Sequence, residues 1–355
     1  MTIAFYAPLK APDHPVPSGD RAMARALIAA LKAGGQQVTL TSDLRLFDGK
    51  GDSARQDELF SAANREIQRL IGAPEAPDWR VWVTYHNYYK APDLIGPEVA
   101  KALGIPYIQI ESSRARKRLT GPWARFAQAA EAASDAAHTI FYVTLRDSEA
   151  LIRDAPVGQF LRHLPPFLAR PDLPAPSTLR GPMLSVGMMR PGDKLASYTL
   201  IAQTLAVLPA TTDWQLDIAG DGPARPEVEA LMAPFGNRVR LRGTLDGAAL
   251  DHLYGQASLL LWPGVNEAFG FTYLEAQAAG IPAVAQNRPG VRDVVFGPMC
   301  RLDAGPAAMA ESIARLLGDA DLRRAAGTRA RVRVGSHHLL GAATTTLLDT
   351  IAGLA

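Results

Sequence analysis

Cysteine is almost absent from this 355-residue chain, because Cys300 is the only one that it contains. A single thiol cannot form an internal disulfide, and the sequence groups no set of histidines around it that would complete a zinc site. We therefore exclude a disulfide framework and a zinc module. We expect a reducing, cytoplasmic location, with Cys300 as a small buried hydrophobic residue.

A strong net charge and long apolar runs are also missing. The formal net charge of +2 is too small for a dedicated nucleic-acid-binding protein. There is no apolar run of about 18 residues, the length that a membrane-spanning helix needs. The first residues, MTIAFYAPLKAP, have only a short apolar run and no basic region, which argues against a signal peptide. With 48% hydrophobic and 20% charged residues, the chain is typical of two soluble globular domains.

One cluster of basic residues is the exception to this balanced charge. It lies in ESSRARKRLTGPW, close to Trp123, and consists of Arg114, Arg116, Lys117 and Arg118. Such a cluster attracts anionic lipid or an acidic acceptor, which predicts peripheral contact with the inner face of the membrane. The alternative is an ordinary solvated surface.

Short apolar runs alternate with helical patterns along most of the chain, which is typical of parallel sheets covered by helices. The first series ends before the proline-rich segment LPPFLARPDLPAPSTLRGP, and a second series of the same kind follows it. The sequence therefore predicts an α/β protein with two Rossmann-like domains. The predicted bounds are 1–168 for the first domain, 169–182 for a linker, 183–335 for the second domain and 336–355 for a last helix.

The segment WPGVNEAFGFTYLEAQAAGIP, residues 262–282, contains the most informative pattern. A buried strand precedes it, Pro263 and Gly264 end that strand, and a helix is predicted around Glu275. Glu267 therefore lies in a loop and Glu275 on a helix, which argues against a glycosidase pair. A nucleotide sugar fits this layout, with hydroxyls at both ends and a diphosphate in the middle.

An anion is expected at the start of that helix, where backbone N–H groups lack partners. The residues that present these groups are Phe269, Gly270 and Phe271. The alternative assigns Glu267 only to complementing the helix N-terminus and leaves Glu275 as a solvated helix residue.

Together with its flanks, this segment resembles the E-x7-E signature of retaining glycosyltransferases, in particular glycosyltransferase family 4. The resemblance implies the GT-B fold, in which two Rossmann-like domains face each other across a cleft and the last helix returns to the first domain. It also implies a nucleoside diphosphate sugar as donor and a hydroxyl acceptor, either a glycan, a lipid-linked glycan or a small molecule. Polysaccharide biosynthesis would be the setting, and no metal or other cofactor is expected.

Two cations in SVGMMRPGDKLASY, Arg190 and Lys194, are predicted to lie in a loop after the first strand of the second domain. They would neutralise the diphosphate and stabilise it as it leaves, without a metal. Family 4 places an arginine directly after the glycine, whereas here Met188 follows Gly187 and the nearest arginine is two positions late. Either Arg190 reaches the same phosphate or Lys194 acts alone.

The resemblance assigns further residues to the donor and the acceptor. Main-chain groups near Arg242 and Gly243 are expected at the nucleobase. In the first domain the residues themselves, HPVPSGDRAMARAL, predict Gly19 in a loop before a helix that Ser18 or Asp20 caps, where the backbone can approach a ligand closely. The alternative is a proline-rich turn with an ordinary cap. Glu111 stands where many family members have a histidine near the reacting sugar, and His86 is the second candidate for orienting a hydroxyl or transferring a proton.

Two other functions remain open from the sequence. A non-catalytic protein of the same fold, which binds a nucleotide sugar or a glycan, is consistent with the displaced arginine and the missing histidine. A nicotinamide-dependent oxidoreductase is suggested by Gly220 and Gly222, but Arg225 stands at the third glycine position of that fingerprint.

Overall fold

The structure is a computed structural model that describes residues 1–15 and 18–354. The chain divides into two compact units. Unit 1 comprises Met1–Pro165 together with Leu340–Ala355, and unit 2 comprises Pro166–Leu339. The chain therefore completes unit 2 and then returns to unit 1 for its last helix.

Unit 1 is built on a parallel sheet that has six strands within the described residues. The strands are β1 (Thr2–Tyr6), β2 (Gln37–Ser42), β3 (Trp79–Asn87), β4 (Tyr107–Ser112), β5 (Thr139–Tyr142) and β6 (Phe160–His163). They pair in the order β2-β1-β3-β4-β5-β6. The order reverses between β1 and β3, which is the point where open α/β sheets bind ligands at the carboxyl ends of their strands.

Helices cover this sheet, as the alternating pattern predicts. They are α1 (Gly19–Ala33), α2 (Ser53–Ile71), α3 (Gly96–Leu103), α4 (Ala124–Ala136) and α5 (Leu145–Asp154), with short 3-10 helices at Ala76–Asp78 and Arg116–Arg118. Side chains cap three of the helices by accepting first-turn N–H groups: Ser18 for α1, Asp52 for α2 and Thr144 for α5. The alternation of strands and helices that the sequence predicts is therefore confirmed in this unit.

The carboxyl-terminal helix belongs to unit 1 and packs on α1. In chain order it is α13 (Leu340–Ala352). The Thr344 hydroxyl donates to the Ala30 carbonyl at 3.0 Å. A methyl group added at Gly34 would come within 2.2 Å of Leu348 Cδ1, so the glycine permits this close approach.

Unit 2 contains a second parallel sheet, with five strands in the described part of the chain. The strands are β7 (Met183–Val186), β8 (Leu216–Ala219), β9 (Val239–Gly243), β10 (Leu260–Leu261) and β11 (Ala283–Val284). Their order is β11-β10-β7-β8-β9, so the switch point lies between β7 and β10. The loops that follow these two strands therefore meet at one edge of the sheet.

The helices of unit 2 follow the predicted alternation, with two differences. They are α6 (Asp193–Ala206), α7 (Arg225–Met232), α8 (Gly247–Tyr254), α9 (Phe271–Ala278), α10 (Val291–Val294), α11 (Gly305–Gly318) and α12 (Ala320–His337), with a 3-10 segment at Ala233–Arg238. The short α10 was not predicted. The single helical run expected over 307–331 is two helices, because Asp319 leaves helical geometry and caps α12 with its carboxylate.

The proline-rich segment 169–182 forms no helix or strand, yet backbone hydrogen bonds attach it to unit 2. The Ser177 N–H donates to the Ala279 carbonyl at 2.7 Å, and the Thr178 N–H donates to the Gly255 carbonyl at 3.0 Å. Repeated prolines remove N–H donors from the segment. Two of the donors that remain, those of Ser177 and Thr178, bind carbonyl groups at the ends of α9 and α8.

Candidate functional site

The loops after β7 and β10 bring Lys194 and Glu267 into direct contact at the switch point of unit 2. The Lys194 ammonium forms an ion pair with Glu267 Oε1, and the Trp262 indole N–H donates to the same oxygen at 2.9 Å. The Lys194 Nζ also lies 5.3 Å from the centre of a Trp262 ring. The two charged side chains are 22% and 12% exposed, so the pair is accessible from one side only.

Lys194 is a helical residue, which corrects the prediction that it lies in the loop. α6 begins at Asp193, three residues before the predicted start at Ala196. Gly192, with a φ of +83°, ends the loop. Asp193 in the first turn then complements the positive end of the helix dipole.

The loop that carries Glu267 is fastened to the first turns of α6. The Asn266 side-chain amide donates to Asp193 Oδ2 at 2.8 Å, and the Val265 N–H donates to Ser197 Oγ at 3.1 Å. These bonds fix the backbone on the amino-terminal side of Glu267. These two bonds therefore hold the loop before Glu267 against α6, the helix that carries Lys194.

Two glycines allow the elements around this pair to approach each other. A Cβ at Gly187 would lie 2.6 Å from the Trp262 ring, and a Cβ at Gly290 would lie 1.8 Å from the Ala268 carbonyl oxygen. Gly290 also has a φ of +81°, a left-handed backbone that favours glycine. The segment 287–293 therefore packs directly on the backbone next to Glu267.

The glycines of the suspected dinucleotide fingerprint have the same structural role. A Cβ at Gly220 would lie 1.9 Å from the Gly187 carbonyl oxygen, and one at Gly222 would lie 2.3 Å from that of Met189. Both glycines have a positive φ. Close packing against the loop after β7 explains them without a dinucleotide.

Glu275 lies on α9 and Glu267 in the loop, as predicted. The Tyr254 hydroxyl donates to Glu275 Oε2 at 2.8 Å and also contacts Thr272 Oγ1 at 3.2 Å. Burial raises the pKa of Glu275, and the hydrogen bond from Tyr254 opposes this increase. The carboxyl group is thus held in one orientation by its neighbours.

The start of α9 presents backbone N–H groups about one turn before Glu275 in the same helix. Gly270, with a φ of +86°, is the N-cap, and its carbonyl accepts the Tyr273 N–H at 3.2 Å, so the earlier N–H groups of the first turn are those left for a ligand. The rings of Phe269 and Phe271 pack edge to face with their centres 5.1 Å apart on either side of the cap. An anion is favoured here by the N–H groups and the helix dipole.

Arg190 and Arg242 differ in how the structure holds them. Arg190 is exposed in the loop after β7, and within the described residues its guanidinium has no side-chain hydrogen bond or ion pair. Arg242 binds both oxygens of the buried Asp217 at 3.0 Å, and Arg240 binds the same carboxylate. The side chain of Arg242 therefore has a structural partner. The Gly243 carbonyl next to it accepts a hydrogen bond from the Gly220 N–H at 2.8 Å.

In unit 1, His86 and Glu111 lie together at the carboxyl ends of β3 and β4. His86 Nε2 is 3.9 Å from Glu111 Oε1, and the side chains are 17% and 12% exposed. His86 Nδ1 and Glu111 Oε2 are buried and have no hydrogen-bond partner within the described structure. Burial raises the pKa of Glu111; the nearby His86 lowers it, whereas Asp147 and Asp20 raise it further.

Both residues of this pair have left-handed backbones, with φ of +74° at His86 and +59° at Glu111. Such conformations cost about 1–3 kcal/mol each in non-glycine residues and persist only when the surroundings impose them. Asn87, which follows His86, is fully buried, and its amide donates to the Ala130 carbonyl and to Ser134 Oγ, both at 2.9 Å. The two residues with strained backbones, His86 and Glu111, are thus also the two whose side chains have an unpaired buried polar atom.

Gly19 does not lie in a loop, which corrects the prediction. It is the first residue of α1, and Ser18 caps the helix by accepting the Arg21 N–H at 3.2 Å. Ser18 was one of the two predicted caps. Among residues 1–15 and 18–354, no atom lies within 4 Å of a Cβ built at Gly19.

The basic cluster is mostly occupied by internal contacts. Arg114 is buried and pairs with Glu131 at 2.9 Å and with Asp135 at 2.6 Å, which removes it from the predicted membrane surface. Arg116 pairs with Asp154 at 3.2 Å. Within residues 1–15 and 18–354, no helix is long and apolar enough to cross a bilayer.

Trp262 and Tyr254 are functional candidates that the sequence reasoning missed. Trp262 was treated only as the end of a buried strand, although its indole N–H is a donor that needs a partner when buried. Nothing in the pattern around Tyr254 indicates that it reaches Glu275, because the contact joins the end of α8 to the middle of α9.

Comparison with known proteins connects unit 2 to enzymes of sugar transfer. Residues 182–319 match the family described as Glycosyl transferases group 1. A GDP-mannose-dependent alpha-mannosyltransferase of Mycolicibacterium smegmatis is 33% identical over 133 residues, which are 36% of this chain and 34% of that protein. A D-inositol 3-phosphate glycosyltransferase of Salinispora tropica is 42% identical over 113 residues, 30% of this chain and 23% of that protein. The chain thus spans about a third or less of the length of these two relatives.

Solved structures match over the whole chain. Sucrose-phosphate synthase from Thermosynechococcus elongatus has a TM-score of 0.74 and 19% identity, covering 99% of this chain and 98% of its own. Anabaena HepE, in complex with UDP and glucose, has a TM-score of 0.71 and 15% identity, with both chains fully covered. The chain therefore has the two-domain, Rossmann-like GT-B fold, and its residues 182–319 are similar to the group 1 glycosyl transferases.

Proposed function

We propose that the protein is a glycosyltransferase that moves a sugar from a nucleoside diphosphate sugar to a hydroxyl acceptor. The observation that carries the proposal is the contact of Lys194, Glu267 and Trp262 at the switch point of unit 2. A cation and a carboxylate held side by side at this edge are suited to adjacent parts of one ligand, a diphosphate and a sugar.

In this proposal the diphosphate lies between α6 and α9. Lys194 and the N–H groups at the start of α9 bind its oxygens and stabilise the negative charge that develops as the sugar leaves. Arg190 is exposed in the loop that precedes α6 and adds a second positive charge once the ligand attracts it. These groups supply the positive charge from the protein itself, so we propose that transfer needs no metal.

The two glutamates bind the two ends of the donor. Glu267 accepts hydrogen bonds from hydroxyls of the sugar, and Glu275, oriented by Tyr254, accepts them from the ribose. This is the role that the E-x7-E pattern of family 4 implies, and with it we propose retention of configuration. We place the nucleobase at main-chain groups near Gly243, because the Arg242 side chain is bound to Asp217.

The names of similar proteins support a nucleotide sugar as the donor. One relative is named as dependent on GDP-mannose, and HepE has been crystallised with UDP and with UDP-glucose. For the acceptor we propose unit 1, where the His86–Glu111 pair is available to orient a hydroxyl group.

The test is nucleoside diphosphate release from a panel of UDP and GDP sugars that first raise the melting temperature of the protein. We expect release by the wild type with and without EDTA. Lys194→Ala and Glu267→Ala should lower the rate by about 100-fold or more while the far-UV circular dichroism stays unchanged. The anomeric configuration of the product, read by NMR, tests retention.

Tight binding of a nucleotide sugar without any release of nucleoside diphosphate would instead identify a non-catalytic binding protein. Full activity in either alanine variant would refute the assignment of Lys194 and Glu267.

A further inference from the structure

A row of aromatic rings leads away from the His86–Glu111 pair in unit 1. Ring centres are 5.8 Å apart from His86 to Tyr88, 5.7 Å from Tyr88 to Tyr89, and 5.7 Å from Tyr89 to Trp123. All four side chains are half-buried. We call the part formed by Tyr89, Trp123, Lys90 and Arg118 the aromatic-cationic platform.

The platform is held in place by the backbone around it. Tyr89 and Lys90 lie at the tip of a tight turn after β3, closed by mutual hydrogen bonds of Tyr88 and Ala91. The Trp123 indole N–H donates to the Asp48 carbonyl oxygen at 3.0 Å. The rings are thus fixed before any ligand binds, which lowers the entropy lost on binding.

Two cations share the same two rings. The Lys90 Nζ lies 5.7 Å from the Tyr89 ring centre and 5.4 Å from that of Trp123. The Arg118 Cζ lies 5.0 Å and 5.5 Å from the same two centres. Within the described residues neither cation has a carboxylate at ion-pairing distance, whereas the neighbouring arginines 114, 116 and 125 each have one.

Arg118 also has an unused donor. Its Nε is buried and has no hydrogen-bond partner in the described part of the chain. Two uncompensated cations side by side repel each other, and a buried unpaired donor costs free energy. A bound carboxylate or phosphate relieves both, and arginine matches the geometry of either group.

We propose that this platform is an acceptor subsite for an anionic oligosaccharide, one that carries a carboxylate or phosphate group. A sugar ring packs its apolar face against the part of Tyr89 or Trp123 that the cations leave uncovered, since the two ring planes are 89° apart, and the anionic group binds Arg118 and Lys90. The row of rings connects this subsite to the His86–Glu111 pair, where the reacting hydroxyl lies. The inference rests on the proposed function, since it names the class of acceptor.

A membrane surface fits the platform less well. Of the basic cluster, Arg114 is buried, Arg116 is exposed but pairs with Asp154, and Arg118 lies over the rings, so in the described part of the chain Lys117 is the one exposed member without an ion pair. Lys90 and Arg118 converge on half-buried rings, where one anionic group of a glycan can contact both cations.

The experiment measures retention of the full-length protein on an array of neutral, carboxylated and phosphorylated oligosaccharides of matched length. We expect retention on anionic glycans, with affinity reduced about tenfold or more in Arg118→Gln and in Lys90→Gln. Arg125→Gln is the matched control, because Arg125 also lies over an aromatic ring but pairs with Asp57. It should change affinity by less than about twofold.

Unchanged affinity in both glutamine variants, retention on neutral glycans alone, or no retention on any glycan would overturn the proposal. So would binding to phosphatidylserine vesicles with no binding to glycans. Lys90→Gln leaves both rings intact and serves if Arg118→Gln fails to fold.

Hydrolysis of the nucleotide sugar, in which water takes the sugar in the absence of an acceptor glycan and nucleoside diphosphate is released, separates this inference from the proposed function. Release without glycan binding rejects only the platform. Anionic glycan binding without release rejects the transferase and keeps the platform.

Discussion

Replacing Glu267 with glutamine should have opposite effects on nucleotide binding and on sugar transfer. In the free protein the carboxylate of Glu267 occupies Lys194, the cation that we assign to the diphosphate. A nucleoside diphosphate must compete with this carboxylate and is also repelled by it. Glutamine removes the negative charge and retains an oxygen that accepts the Trp262 indole N–H.

The expected magnitude follows from the exposure of the pair. A charge-assisted hydrogen bond is worth about 1.5–3 kcal/mol, and partial exposure to solvent reduces this value. We therefore expect UDP or GDP, whichever the protein binds, to bind about 1–2 kcal/mol more tightly to Glu267→Gln, which is about fivefold to thirtyfold in Kd. Transfer should fall by about 100-fold or more, because the carboxylate that binds the sugar is lost.

Isothermal titration calorimetry gives the affinity, and nucleoside diphosphate release gives the rate. The control is Glu229→Gln, which removes a carboxylate from a surface pair with Arg225 on α7 and should alter neither quantity. Weaker nucleotide binding in Glu267→Gln, or an undiminished transfer rate, would refute the competition between carboxylate and diphosphate.

Three further predictions concern the supports of the two sites. Gly290→Ala places a Cβ 1.8 Å from a backbone oxygen, at a residue with a positive φ, so the free energy of unfolding should fall by about 2–4 kcal/mol in urea titrations. The control is Gly297→Ala, whose Cβ would meet no described atom within 4 Å and which should change that free energy by less than about 0.5 kcal/mol. Burial raises the pKa of Glu111, so the contribution of this carboxyl group to stability is complete below its unfolded-state pKa and is lost as the pH rises through its folded-state pKa. The free energy of unfolding of Glu111→Gln, relative to that of the wild type, should therefore be higher at neutral pH than at acidic pH. The same difference between the two proteins at both pH values would contradict this. Tyr254→Phe removes the hydrogen-bond donor that lowers the pKa of Glu275. In calorimetric titrations, the pH at which nucleotide-sugar affinity is lost on acidification should therefore be higher than in the wild type. An unchanged pH would contradict the assignment of Glu275 to the ribose.

The layered fold could be predicted because each buried strand is a short apolar run and each helix a longer periodic one. Elements without this signal were missed. β6 (Phe160–His163) is a largely exposed edge strand, so it lacks the apolar run. The start of α6 was placed late, because Gly192 and Asp193 look like loop residues until the dipole and the left-handed glycine are considered together.

The sequence assigned Lys194 and Glu267 to one donor site, but it did not predict that the two side chains pair with each other, because 73 positions separate them in the chain. Arg114 was misassigned because its partners, Glu131 and Asp135, are distant in sequence and share one face of α4 only after the chain folds.

Backbone strain is the part of the site that the residues alone do not reveal. Nothing in VWVTYHNYY or YIQIESS indicates a left-handed backbone at His86 or Glu111. Next to His86, Asn87 bonds to Ser134, 47 positions away, and a contact of that range is not visible in the local sequence. His86 and Glu111 were predicted as separate candidates, and the structure brings them together as a strained, partly unsatisfied pair.

A crystal structure of the protein with a bound UDP or GDP sugar tests the central claim most directly. The account predicts that the diphosphate lies within hydrogen-bonding distance of Lys194 Nζ and of N–H groups at the start of α9, with Glu267 on sugar hydroxyls and Glu275 on the ribose. A nucleotide bound elsewhere, or one that leaves the ion pair of Lys194 and Glu267 intact and uncontacted, would contradict it.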